Sequence, residues 1–455
     1  MGYKTMIGKL TYHIVDFFRK TETVKVYNKI IKTQWLSKEE LNQIQFETLK
    51  KLLLHSFNNV PYYTKLFNDY GFNPEKFNDF SDLKVLPLIN KDVIRANFEK
   101  LKAKNFSYFL PRKTQTGGST GKPLVTYKDK LAHSYIWANN LRGWNVAGYE
   151  IGDKFIQIAS GSLLPNTTSI KSKLYSYMQN AILITSYHLT EDKIKEVIKI
   201  INSTKANYIY GYSSTISLIA QTAKNKNWGI NRKLNGIFTT SDMLYPNQRK
   251  TIAEVFGSEV FDNYGCPEGG VITFECENHN GYHINQESAY VEIVNQNENG
   301  IGNIISTPLY SYAFPLIRYN TGDVGKIATD SCSCGRGLNK ISELGGRIRD
   351  FIVLEDGRYI HGAFFNHLEA LYNAKWISQY QIIQENINEI TLKFSCLSEP
   401  VEDELKLITN DLHKGLLPNI KINFDFSGVE YTKGGKFRLI ISKVKNNWEK
   451  IKDYE

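Results

Sequence analysis

Cysteine and proline are scarce in this 455-residue chain, which has five of the first and twelve of the second. The cysteines stand at 266, 276, 332, 334 and 396, so the first 265 residues have none. So few thiols over such a length exclude a disulfide scaffold and fit a reducing compartment, the cytosol. Also missing is any run near the ~20 apolar residues that cross a bilayer, and no unbroken apolar stretch follows the first lysine. The chain is therefore expected to be neither exported nor transmembrane. With 42% hydrophobic and 22% charged residues it is not low-complexity either; a globular protein of two or three structural units is expected.

What is present in excess is positive charge, 56 Lys and Arg against 46 Asp and Glu, a net +10. Residues 1–38 hold eight basic side chains and two acidic ones, Asp16 and Glu22, so six of those ten charges sit at one end. Nucleic-acid binding calls for basic residues spread with aromatics over the body, and that is not the pattern. Met6, Ile7, Leu10, Ile14, Phe17 and Phe18 recur at helical spacing. They predict an amphipathic helix that either lies on an anionic membrane surface or packs on the body with a solvated basic face.

Beyond this segment, 39–110 reads as helical scaffold, with a break at Asn59-Val60-Pro61 and Asn90 as a helix N-cap. From 112 to 345, strand-like Phe155–Ala159, Tyr208–Tyr210, Gly236–Thr240 and Glu259–Phe261 alternate with helical Glu191–Ile201 and Ser214–Ala223. That alternation predicts α/β layering with parallel strands. After Gly345-Gly346, strand-like 350–354, 390–394 and 420–424 with helices near 364–372 and 401–412 read as a small α+β domain. The expected division is 1–38 as a basic segment, 39–345 as a large domain and 346–455 as a small one.

Two constellations carry chemistry. Thr116-Gly117-Gly118-Ser119-Thr120-Gly121-Lys122 leaves backbone N–H groups unshielded and adds hydroxyls, which suits a polyphosphate. It is not a Walker A loop, because only three residues separate Gly117 from Gly121 and Pro123 follows the lysine. Cys276, His283, Cys332 and Cys334 offer three thiols and an imidazole, a tetrahedral structural Zn2+ set, with His279 as an alternative fourth ligand.

Read in order with that loop, Thr239-Thr240-Ser241-Asp242, Tyr264-Gly265-Cys266-Pro267-Glu268, Arg318-Tyr319-Asn320-Thr321-Gly322-Asp323, Gly346-Arg347-Ile348-Arg349-Asp350 and Lys433-Gly434-Gly435-Lys436 resemble the core motifs of the adenylate-forming enzymes. Asn59-Val60-Pro61-Tyr62-Tyr63 and Leu86-Pro87-Leu88-Ile89-Asn90-Lys91 are similar to the phenylacetate–CoA ligase-like branch, which includes capsule-biosynthesis proteins. The resemblance implies an acyl-CoA synthetase-like fold, a large amino-terminal domain of layered sheets and helices with a small, mobile α+β carboxy-terminal domain. It implies an ATP- and Mg2+-dependent ligase that activates a carboxylic acid as an acyl-adenylate and passes the acyl group to CoA or another acceptor, in surface or capsular polysaccharide synthesis. AMP transfer onto a hydroxyl and a non-catalytic peripheral membrane protein are the alternatives.

The same resemblance distributes the roles. Residues 116–122, Ser241, Asp242 and Gly265 would hold ATP or AMP, Tyr264 would face the adenine and Asp323 would accept the ribose hydroxyls. Glu268 would be the Mg2+ carboxylate, and Lys436 the cation reaching the α-phosphate and carboxylate oxygens. Arg349 and Asp350 stand where the family has its hinge. Tyr210, Gly211 and Tyr212 would wall the acyl pocket, with Tyr135, Trp137 and Trp144 as further lining and Arg142 as a candidate partner for a substrate carboxylate. The location expected is cytoplasmic, at the inner face of the membrane if residues 1–38 touch it.

Overall fold

The computed structural model describes residues 3–115, 124–159, 170–186, 189–347, 351–355, 359–361, 365, 368, 370–371, 374–415, 420–431 and 437–444. The chain opens with helices α1 (Tyr3–Arg19), α2 (Thr23–Thr33), α3 (Lys38–Asn59), α4 (Pro61–Asp69) and α5 (Lys91–Ala96). Their boundaries follow local chemistry. Ser37 and Glu40 cap α3 reciprocally, each side chain accepting the other's backbone N–H. Pro61 holds Val60 extended (φ −113°, ψ 107°), which ends α3 and starts α4 with Pro at its first position. Asn90 caps α5, its Oδ1 accepting from the backbone of Asp92 and Val93. Tyr63, Phe67, Phe72 and Phe77 from this helical part share a core with Leu309, Phe314 and Tyr319, which fastens it to the later sheet.

α1 touches the body through Gly8, Tyr12 and Val15, one helical face, and here two glycines meet. A Cβ on Gly8 would lie 2.4 Å from the Cα of Gly152. Leu10, Ile14, Phe17 and Phe18 point away, with Phe17 76% exposed. α2 instead buries Val24, Tyr27 and Ile30 in the core around Trp144.

A hairpin, β1 (Arg112–Gln115) with β2 (Val125–Lys128), leads into α6 (Lys130–Asn145). The next strands and helices are β3 (Phe155–Ala159), α7 (Ile170–Met178), β4 (Ala181–Thr185), α8 (Glu191–Ser203), β5 (Tyr208–Tyr212), α9 (Ser213–Asn225), β6 (Gly236–Thr240), α10 (Pro246–Phe256) and β7 (Val260–Asn263). They form one parallel sheet in the order β4-β3-β5-β6-β7. Strands β3, β5, β6 and β7 are buried from end to end, so their near-continuous apolar runs read as strands covered on both faces. The chain passes from β3 outward to β4 and returns on the other side to β5. Ligands bind outside the carboxyl ends of strands at such a reversal.

The expectation of parallel strands through residue 345 fails after β7. Strands β8 (Phe274–Glu275), β9 (Tyr282–His283), β10 (Ala289–Val294), β11 (Gly302–Pro308), β12 (Tyr319–Ile327) and β13 (Lys340–Arg347) form an antiparallel sheet, ordered β8-β9-β13-β12-β11-β10. No α-helix lies between them, and parallel pairing needs a long crossover whereas short turns suffice for antiparallel strands.

The carboxy-terminal part has a ribbon, Phe351–Val353 with Tyr359–His361, then β14 (Ile377–Asn386), β15 (Glu389–Cys396), α11 (Glu402–Gly415), β16 (Lys421–Asp425) and β17 (Ile440–Ser442). Its sheet runs β16-β15-β14-β17, and Ile382, Leu392, Phe394, Ile408 and Leu412 fill its core. Of the helix expected at 364–372, the described residues give helical Ala370 and Leu371. Tyr245, at the start of α10, packs into this core and links the small domain to the large one. No helix among the described residues is long and apolar enough to cross a membrane.

Candidate active site

Tyr264 leaves the carboxyl end of β7 and is pinned there by a mutual pair with Thr273. The Tyr264 N–H donates to Thr273 Oγ1 at 3.2 Å, and Thr273 N–H returns to the Tyr264 carbonyl at 2.8 Å. Its phenol donates to Asp323 Oδ2 at 2.8 Å. Burial first, and then the Asp323 charge, push that phenol well above its ordinary pKa, so it stays a proton donor. Asp323 lies on β12, behind a turn in which Gly322 takes φ +79° and donates its N–H to Asn320 Oδ1. Such a φ favours glycine, which accounts for Asn-Thr-Gly-Asp at this place. The bond joins an aromatic face from the parallel sheet to a carboxylate from the antiparallel one.

Ser241 follows β6 with φ +73°, a left-handed conformation that a side chain adopts at a cost and that clusters at functional sites. Asp242 bridges to the start of α9, where Ser214 Oγ donates to its Oδ2 at 2.6 Å and Ser213 Oγ to its carbonyl at 3.0 Å. A carboxylate at a helix N-terminus is electrostatically favoured. Gly265 and Cys266 pair with Ile272 and Val271, and the turn Pro267–Gly269 then presents Glu268, half-buried, beside Lys128 of β2. Burial draws the Lys128 ammonium below its usual pKa, and the Glu268 charge opposes the shift.

Residues 116–122, Arg349, Asp350 and Lys436 lie outside the described residues. The hairpin that holds the glycine-rich loop is described up to Gln115 opposite Val125.

Of the expected pocket wall, Tyr210 is buried with its ring 4.8 Å from Trp144, and Tyr212 is fully buried. Gly211 faces the Ile158 carbonyl so closely that a Cβ would stand 2.2 Å from it, so the pairing of β3 with β5 needs glycine there. Trp144 is fully buried, and Tyr135 stacks on Tyr310 at 4.3 Å with their hydroxyls 3.0 Å apart. Trp137 is half-buried.

Arg142 is not a substrate partner. It is 1% exposed and gives Nη1 to Glu287 Oε1 at 2.8 Å and Nη2 to Asn139 Oδ1 at 2.7 Å. So deeply buried, this guanidinium is placed to balance the interior carboxylate of Glu287 instead.

The metal candidates converge. Cys276 follows β8, His283 ends the partner strand β9, and Cys332 and Cys334 sit in the turn between β12 and β13. Their four ligand atoms lie within 4.8 Å of one another; Cys276 Sγ and Cys332 Sγ are 3.6 Å apart, and Cys334 Sγ and His283 Nε2 3.3 Å. Ligands ~2.3 Å from a tetrahedral zinc stand ~3.7 Å apart, so the donor set fits that ion. Burial, reinforced by Arg336, lowers His283 to about 4, which keeps its ring neutral and able to coordinate. His279 is engaged elsewhere, with Nδ1 3.3 Å from Arg249 Nη1 and 3.4 Å from Glu275 Oε2. Four protein ligands would leave no open position, so an ion held here would be structural.

Lys128 stands beside Glu268, and Arg19, Arg112 and His133 feel one another's charge around it. Arg112, Lys128 and His133 carry no signal in the sequence and Arg19 shows there only as one basic residue of the amino-terminal segment; the four come from α1, the hairpin and α6, so only the fold brings them together.

A family model described as the CapK C-terminal domain matches residues 352–443. Along nearly its whole length the chain is 24% identical over 441 residues to the protein CapK of Staphylococcus aureus, covering 94% of this chain and 95% of that one. It is also 24% identical over 402 residues to a phenylacetate-coenzyme A ligase of Thermus thermophilus, covering 81% and 84%. The crystal structure of a 2-hydroxyisobutyryl-CoA ligase in the postadenylation state, in complex with R3-HIB-AMP, matches with a TM-score of 0.71 at 16% identity and 90% coverage of both chains. At that identity the likeness is one of fold, and it agrees with a large α/β domain carrying a small α+β one. Residues 352–443 thus match the CapK C-terminal family, and over most of its length the chain is related to CapK and to the phenylacetate–CoA ligases, in agreement with the resemblance its motifs carry to the adenylate-forming ligases.

Proposed function

We propose that this protein uses ATP and Mg2+ to convert a carboxylic acid into an acyl-adenylate, with loss of pyrophosphate, and then transfers the acyl group to CoA or another acceptor with release of AMP. The observation that carries the reading is the Tyr264–Asp323 pair, 2.8 Å apart at the carboxyl end of the parallel sheet. It offers a flat face for adenine and a carboxylate with remaining lone pairs for the ribose diol. Glu268 would hold Mg2+ between the phosphates, the loop 116–122 would wrap them, and Lys436 would neutralise charge at the α-phosphate. Ser241, Asp242 and Gly265 would border the nucleotide, and the segment at Arg349 and Asp350 would be the hinge of the small domain at 346–455. A role in capsular polysaccharide synthesis is supported by the relationship to CapK. The test is ATP–pyrophosphate exchange over a panel of carboxylic acids. Acid-dependent exchange abolished by Lys436→Ala is expected; no exchange with any acid refutes the reading, and a stable adenylylated hydroxyl product would reassign the chemistry to AMP transfer.

A second reading, favoured by the outward stripe of α1, places this enzyme at the cytoplasmic face of a membrane. Leu10, Ile14, Phe17 and Phe18 face outward, and Leu174 and Tyr177 of the neighbouring helix α7 are also exposed, at 55% and 83%. Exposed rings and leucines beside Lys20 and Lys173 suit the boundary of an anionic bilayer. Vesicles rich in anionic lipid should co-sediment the full chain, and Phe17→Glu with Phe18→Glu should release it; equal partitioning of both proteins refutes this reading and leaves a solvated, packed helix.

A further inference from the structure

The hairpin β1–β2 carries a feature that nucleotide chemistry at its tip does not require. Arg112 and Lys128 are directly opposite in its register. They share a face with Thr114 and Thr126, whose hydroxyls are 2.9 Å apart. Like charges directly opposite each other on paired strands repel, and neither cation forms an ion pair among the described residues. Two more basic groups close in. Arg19, at the end of α1, lies over the Tyr175 ring at 4.7 Å and feels the charge of Arg112. His133, in the first turn of α6, is lowered to about 3 by burial and then by Arg112, Lys128 and Arg19, and its Nδ1 is buried without a hydrogen bond.

The nearby acids are already committed. Asp16 accepts from Thr21 Oγ1 at 2.6 Å and from the Val24 N–H at 2.9 Å. Asp129 accepts from the backbone of Tyr312 and Ala313 at 2.6 and 3.1 Å. What remains to face Lys128 is Glu268, the Mg2+ candidate, with the Cys266 thiol behind it. Concentrated, half-buried cations that outnumber the one carboxylate facing them, next to a reaction centre, are an arrangement that an anionic ligand completes.

We infer that the acid activated at this site carries a second anionic group, a carboxylate or a phosphate ester, that docks between Arg112 and Lys128, with Arg19 behind them and His133 Nδ1 within its reach. The inference rests on the adenylation reading and names its substrate class: a dicarboxylic or phosphorylated acid in place of a neutral aromatic or aliphatic one.

The test compares acids of matched length in ATP–pyrophosphate exchange by the full chain, succinate and glutarate against butyrate and valerate, and 3-phosphoglycerate against glycerate. Doubly charged acids are expected to have a KM lower by about tenfold or more, the worth of one charge-assisted hydrogen bond. Arg112→Gln and Lys128→Gln should each erase that preference, and Arg112→Gln should do so while leaving the KM for ATP unchanged. With one of two opposed charges removed, Lys128→Gln should also raise the melting temperature of the ligand-free protein, which a residue kept for stability would not do.

Equal KM values for paired acids in the wild type overturn the inference and leave adenylation standing. A rise in the KM for ATP alone assigns the cations to the nucleotide's phosphates and also overturns it. If no acid supports exchange, adenylation itself fails, and melting curves with succinate or inorganic phosphate against chloride at equal ionic strength decide the anion site. A shift in the wild type lost in Lys128→Gln supports the site, and no shift refutes it.

Discussion

Asp323→Asn preserves the shape of one side chain and removes its charge, which makes it the sharpest probe of the nucleotide site. In the wild type, Tyr264 occupies one acceptor position of the Asp323 carboxylate at 2.8 Å. A carboxylate has about four such positions on its two oxygens, so it can accept from a ribose diol as well as from the phenol. Asparagine has a single acceptor oxygen, and if Tyr264 keeps it the sugar meets an NH2 group. The loss is then one to two hydrogen bonds to a charged acceptor, about 2–4 kcal/mol, or roughly 30- to 700-fold in affinity for ATP. Tyr264→Phe keeps the aromatic face and removes one donor, so about 5- to 30-fold is expected. Tyr264→Ala loses both and should be the weakest of the three relative to wild type in adenine recognition. Calorimetric titration of each full-length variant with ATP measures these constants directly, with melting curves to verify folding. Asp323→Asn binding ATP within about threefold of wild type, while folding normally, would mean that the carboxylate does not meet the sugar, because a lost charged bond is worth more than that.

Elemental analysis should find about one zinc per chain, and Cys332→Ser with Cys334→Ser should release it and lower the melting temperature; a metal-free wild type of unchanged stability would refute the site. Asp129, 2% exposed, is raised to about 7 by burial, against which the Tyr312 and Ala313 N–H groups work. The folded state therefore holds this proton more tightly than the unfolded one, so stability is fullest below about pH 4 and falls as pH rises towards 7, by up to ~4 kcal/mol. Asp129→Asn should flatten that slope between about pH 4 and 7 in thermal melts; an unchanged slope would show that another group titrates there.

The legible parts of this fold are those decided locally. Phe155–Ala159 and Gly236–Thr240 read as strands to the residue, because an apolar run bounded by turn residues has few other uses. Asn90 declares its cap two residues before the helix needs it. The antiparallel sheet was opaque: β8 and β9 are two residues each, too short for any period, and although they pair with each other, it is β9's pairing with β13, more than fifty positions away, that joins them to the sheet. Arg142 illustrates the same limit, since the carboxylate that takes it inside, Glu287, is 145 residues downstream. Arg112 and Lys128 become neighbours only through a register set across the glycine-rich loop, and a one-residue slip would have turned one of them to the other face.

The contact of Gly8 with Gly152 gives the amino-terminal helix a bearing as well as a place. With so little clearance on either side, α1 has almost no freedom to roll on the turn that feeds β3. Its outward stripe thus stands at one set angle to the parallel sheet and the crevice at its carboxyl ends. Any surface that receives the stripe would meet the catalytic mouth at a single angle, and an alanine at either glycine would change that heading before it touched the chemistry.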